Sequence, residues 1–114
     1  MSPESRDRSY LWDMLDASRT IRGFISGMTF TQFEKDRKLQ LAIERLLEIL
    51  GEAARRVSEE FQNQHGEIPW RKIIGQRNVL AHEYGEIKLE RIWVLVTENL
   101  EELQRILEGL SIER

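Results

Sequence analysis

Residues 77–85 read Arg-Asn-Val-Leu-Ala-His-Glu-Tyr-Gly, which places an arginine, an asparagine, a histidine and a tyrosine within eight positions. The whole chain holds only two histidines, two tyrosines and no cysteine, so this concentration of reactive side chains is local. Metal-free cleavage of RNA would need a base for the 2′-hydroxyl proton, an acid for the departing 5′-oxygen and a cation for the crowded phosphorane. His82 suits proton transfer because imidazole titrates near neutrality. Arg77 offers a planar fork of donors that matches phosphate oxygens and stays charged. Asn78 could fix the imidazole tautomer or hold the phosphate, and Tyr84 could donate to a phosphate or stack on a base. Each also has an ordinary alternative: Arg77 as a solvated charge, His82 as a structural ring, Tyr84 as a packing residue before Gly85.

Helical geometry limits what these residues can do alone. Each step turns the chain by about 100°. Arg77 and Tyr84 therefore share one face, with Ala81 leaving room between them, and Asn78 and His82 share the next. Arg77 and His82 lie about 140° apart on an ideal helix and converge poorly. Either the helix unwinds before His82, or a second copy supplies part of the site. Metal chemistry has little to stand on: no Glu-x-x-His occurs, "HEYGE" lacks the second histidine of His-Glu-x-x-His, and no thiolate is available. No metal and no cofactor are expected. His65, in the loop "NQHGE", has no evident partner and is expected to be exposed.

Four helical segments must position this stretch. The first opens at Ser2-Pro3-Glu4, a cap followed by proline, and carries Leu11, Met14/Leu15, Ile21 and Phe24/Ile25 before ending near Gly27. The second begins at Thr29, where Gln32 completes a capping box and Met28 can staple onto Phe33. Its stripe of Leu39, Ala42/Ile43, Leu46/Leu47, Leu50, Ala53/Ala54, Val57 and Phe61 predicts one helix of over thirty residues, with Gly51 as the place for any bend. Pro69 or Trp70 starts a short third helix with Ile73, Ile74 and Val79/Leu80, which Gly85 stops. The fourth runs from about Ile87 to Leu110 through Leu89, Ile92/Trp93, Val96, Leu100, Leu103 and Ile106/Leu107. An all-α antiparallel bundle of about four main helices follows. The stripes of the long helices are wide enough to face a further neighbour, which suggests dimerisation through helices.

Composition agrees. One domain spanning 1–114 is the default at 114 residues, and 40% hydrophobic with 32% charged residues fits a folded globular chain. Seven glycines and two prolines leave few strand-and-turn signals. No apolar run approaches the roughly 20 residues of a membrane span, and "MSPESRDRSY" has no signal-peptide core, so a cytoplasmic location is expected. The net charge of −3 does not advertise nucleic-acid binding, and DNA is not an expected partner. Locally, though, Arg71, Lys72 and Arg77 stand without an acid between Trp70 and Asn78, whereas the end from Glu98 onward is net acidic. A phosphate responds to the local potential.

"RNVLAHEY" matches the Arg-x-x-x-x-His-x-Tyr motif of HepT-type toxins of the HEPN domain superfamily. The resemblance extends to "RDRSYLWDML", "FEKDRKLQLAIERLLEILGEAA", "IPWRKIIGQRN" and "RIWVLVTENLEEL", and so covers nearly the whole chain. It implies an all-α homodimer whose two motifs line an interfacial cleft, with Arg77 and His82 catalytic and Asn78 and Tyr84 supporting. It implies a metal-independent endoribonuclease acting on RNA, the toxin of a toxin–antitoxin pair of type II-like or type VII character. The implied antitoxin is an MntA-type minimal nucleotidyltransferase that transfers AMP to Tyr84. Glu52, in the family-like "GEAA", is expected to play a structural or supporting part. Because the superfamily includes non-catalytic members, the competing expectation is a nucleotide-binding or docking module that partners the nucleotidyltransferase without cutting RNA.

Overall fold

Leu11, Met14, Leu15, Ala17, Ile21 and Ile25 recur at helical spacing, and in the computed structural model, which describes residues 3–75 and 89–112, they form the buried face of α1 (Pro3–Ile25). The Ser18 hydroxyl, on the same face, is satisfied by donating to the Met14 carbonyl at 2.9 Å. The chain leaves α1 through Gly27, whose φ of +73° is the left-handed conformation that glycine adopts without a Cβ penalty. The expected cap at Ser2 lies outside the described residues.

The capping box at Thr29 forms as expected. Gln32 N–H donates to the Thr29 hydroxyl at 3.2 Å, and the Gln32 side-chain oxygen accepts from Thr29 N–H at 2.9 Å. The helix it opens, α2 (Phe30–Glu34), lasts only five residues. The single long helix expected from the apolar stripe is thus three: α2, α3 (Arg37–Arg56) and α4 (Glu59–Gln64). Gly51 is not a bend; it is buried inside α3. The breaks fall where side chains offer the backbone a better end. Asp36 accepts from Leu39 N–H at 3.0 Å and starts α3, while Gln40 reaches back to donate to the Phe33 and Glu34 carbonyls at the end of α2, each at 3.0 Å. Ser58 likewise accepts from Phe61 N–H and starts α4.

Residues 70–75 form a fifth helix, α5, with Ile73 N–H donating to the Pro69 carbonyl at 3.1 Å. The final stretch comprises α6 (Leu89–Val94), a wide π turn (Leu95–Asn99) and α7 (Leu100–Gly109), a departure from the regular helix expected over 87–110. Its buried residues, Ile92, Val96 and Leu100, are four apart twice in succession. A regular helix would carry that spacing about 80° off the core face, and one wider turn absorbs the excess.

Polar contacts set the directions. Near its start α1 meets the end of α3, where the Asp7 carboxylate accepts from Ser58 N–H at 2.8 Å and from its hydroxyl at 2.6 Å. Arg8 donates to the Ser111 carbonyl, and Arg22 to carbonyls at residues 96 and 97. Both α3 and α7 therefore run antiparallel to α1. The fold is an all-α bundle, and among the described residues there is no strand. Asp36→Ala should remove the α3 cap at a cost of about 1 kcal/mol, lowering the melting temperature by about 4–8 °C while helical content is retained. A melt followed by circular dichroism checks it, and an unshifted midpoint would show that Asp36 does not hold the break.

Candidate functional site

Arg77, Asn78, His82 and Tyr84 lie outside the described residues, as does the stop expected at Gly85. What is described is the frame on either side of them. On the entry side the loop after α4 is pinned by aromatic packing. Trp70 is buried, its indole N–H donates to the His65 carbonyl at 3.0 Å, and its ring meets Phe61 edge-on at 6.3 Å. Ile68 and Ile73 are buried beside it, so the chain enters α5 with its orientation set by apolar burial.

His65 differs from the exposed, partnerless residue expected. Its ring stacks on Phe61 with centroids 4.2 Å apart, and its Nδ1 lies 3.2 Å from the Glu67 carboxylate. The Glu67 backbone amide, and second the His65 ring, hold that carboxyl below its usual range. The stack depends on the turn folding residue 65 back over residue 61, which the loop sequence does not announce. Beyond Trp70, the side chains of Arg71 and Lys72 are exposed on α5, a basic pair leading into the motif.

On the exit side, Ile92 is buried and Trp93 packs against α2. Its ring lies 5.2 Å from Phe33 and 6.1 Å from Phe30, the latter edge-on. Aromatic contacts of this kind add to area burial and resist rotation of the helix that carries them. Segment 76–88 is thus bracketed by two helices whose inner faces are held by aromatic side chains.

Glu52 holds two arginines. Its carboxylate accepts from Arg55 Nη2 at 2.7 Å and Nε at 3.3 Å, and from Arg56 Nε at 2.8 Å. The bond to Glu52 is the main reason both guanidinium pKa values are raised. This agrees with a structural part for Glu52 and puts it beside a groove of about 460 Å³ between α1 and α3, lined by Tyr10, Asp13, Arg45, Glu48 and Ile49 among others. The groove's charges are mixed and largely paired, which gives it little pull on a free anion. Among the described residues, no three acidic or histidine side chains are grouped to hold a metal ion.

Comparison with known proteins addresses the chain as a whole. Residues 14–110 match a family model described as "HepT-like: Ribonuclease HepT-like". The chain is 34% identical to a "Putative RNase" of Methanocaldococcus jannaschii, over 97% of this chain and 95% of that one. It is 35% identical to the "Probable ribonuclease HepT" of Thermococcus cleftensis, over 90% of this chain and 94% of its relative. A "Putative RNase" of Caldanaerobacter subterraneus is also 35% identical, over 86% and 88% respectively. No solved structure matches. With the model spanning most of the bundle and the relatives aligned nearly end to end, the chain belongs to the HepT-like ribonuclease family.

Proposed function

We propose that this protein is a metal-independent endoribonuclease, the toxin of a toxin–antitoxin pair, with Arg77 and His82 as its catalytic residues. The observation that carries the proposal is the Arg77–Tyr84 motif lying inside a family match that covers residues 14–110. In the proposed reaction an imidazole removes the 2′-hydroxyl proton, the 2′-oxygen attacks phosphorus, and the 5′-oxygen leaves with a proton delivered by an imidazolium. The Arg77 guanidinium neutralises the charge that accumulates on the phosphorane oxygens. Asn78 orients the ring or the phosphate. Arg71 and Lys72, exposed just before the motif, raise the local potential for RNA.

A homodimer supplies the second histidine and arginine. Support comes from the outer face of α3, where Leu41 and Ile49 are 43% and 36% exposed among Arg45, Glu48 and Glu52. Apolar side chains ringed by charge make an interface-like surface. The wild-type chain should therefore sediment as a dimer at micromolar concentration, and Ile49→Glu should weaken that dimer without unfolding the bundle. A wild-type monomer would remove the composite site.

Purified protein should cut total RNA with EDTA present. Arg77→Ala and His82→Ala should each lose about 100-fold or more in rate, and Arg77→Lys should recover little because an ammonium lacks the bidentate fork. A wild-type chain that binds RNA but never cleaves it would favour the docking-module alternative. Cleavage that EDTA stops and Mg²⁺ restores would contradict the mechanism.

Neutralisation is proposed to run through Tyr84. Its hydroxyl attacks the α-phosphorus of ATP on an MntA-type nucleotidyltransferase, pyrophosphate leaves, and the tethered AMP places a phosphodiester anion where the substrate phosphate must sit. Intact mass spectrometry after incubation with that partner and ATP should show AMP added to the wild type and not to Tyr84→Phe. Undiminished addition to Tyr84→Phe would place the switch elsewhere.

A further inference from the structure

The wide turn at Leu95–Asn99 is held from outside its own helix. Leu100 N–H bonds the Leu95 carbonyl, a step of five in place of four, and an insertion of this kind leaves one carbonyl of the ladder without its regular donor. Arg22, on the last turn of α1, reaches the turn from outside: its Nη1 donates to the Val96 carbonyl at 3.3 Å and to the Thr97 carbonyl at 2.9 Å. Its other terminal nitrogen lies 3.9 Å from the Glu101 carboxylate, and the side chain is only 30% exposed. On the turn itself, the Thr97 hydroxyl donates to the Trp93 carbonyl at 2.6 Å. A guanidinium can serve two carbonyls and a carboxylate together because its donors radiate in one plane.

The extra residue has a geometric consequence. Everything N-terminal to the turn is rotated, relative to α7, by about one residue's worth of helix, roughly 100°. That portion is α6, whose first residue, Leu89, follows Tyr84 by five positions. Were the turn to relax to a regular helix, Ile92 and Trp93 would swing away from the core and from Phe30 and Phe33.

We propose that Arg22 is a positioning residue for RNA cleavage: by donating to carbonyls of the wide turn it holds the rotation of α6, the helix that follows the motif in sequence. The proposal rests on the ribonuclease function proposed above, but part of it can be read without activity. In Arg22→Ala the amide hydrogens of residues 99–101 should exchange with solvent at least about tenfold faster than in the wild type, while those of mid-α3 should be unchanged. In single-turnover cleavage Arg22→Ala should lose about tenfold or more in the rate at saturating RNA, with the concentration for half-maximal rate within about twofold of wild type. Arg22→Lys, which keeps a donor for one carbonyl, should recover part of both losses, whereas Arg22→Met, of similar length but without a donor, should not.

Unchanged exchange in Arg22→Ala would overturn the claim that the arginine holds the turn. Faster exchange with a wild-type cleavage rate would overturn the positioning role. A loss confined to the half-saturating concentration would overturn it too, making Arg22 an RNA contact. If the wild type itself does not cleave, the proposed function fails, and the exchange data still decide whether Arg22 holds the turn.

Discussion

Leu11, Met14, Leu15, Ile21 and Ile25 of α1 are at most 5% exposed, and both α3 and α7 use that stripe as their common wall. Each such side chain contributes roughly 1.5–3 kcal/mol when withdrawn from water. The small Ala17 and Ser18 lie between the larger residues and let a neighbour approach. The remaining helices are arranged around this one surface. The three-to-four spacing along α1 sets how far around its axis the two neighbours can sit, and the antiparallel run of α3 and α7 brings their ends back to polar groups at the ends of α1.

Those polar groups decide where helices stop. Asp7 reaches across 51 residues of sequence to take both the amide and the hydroxyl of Ser58, so the end of α3 is defined by α1 as well as by its own residues. Gln40 is buried, which is tolerable because its amide group donates to the last two carbonyls of α2. No buried side-chain nitrogen or oxygen among the described residues lacks a partner. A bundle this small cannot carry many unsatisfied groups, since each would cost about 1–3 kcal/mol against a total stability of about 5–15 kcal/mol.

The same economy shapes the approach to the motif. The described helices on either side of the motif each have aromatic support. On the entry side that support is the Phe61–His65–Trp70 group, and on the exit side it is Trp93 against Phe30 and Phe33. Both anchors are aromatic, which concentrates a large contact area on few residues. The wide turn adds a second control on the exit side, because it sets the rotation of α6 independently of α7.

Much of this was legible in the residues themselves. Apart from Phe24, which is 46% exposed, apolar spacing alone identified the buried face of α1 and the stripe of α3, since burying one side of a helix demands that period. The capping box at Thr29 and the entry at Pro69–Trp70 followed from local backbone chemistry that operates within four residues. The motif at 77–84 and its family likewise needed only the order of side chains. The subdivision of the expected long helix did not follow, although Asp36 and Ser58 are good caps, because an uninterrupted apolar stripe permits one helix or three. Gln40 folding back on α2 and Asp7 arriving from α1 made the choice. The wide turn was hidden for the same reason: Arg22 lies 74 and 75 residues from the carbonyls it serves. Local periodicity determined which faces are buried; contacts between residues distant in sequence decided where helices break and how they are rotated, because only the folded chain brings those donors and acceptors together.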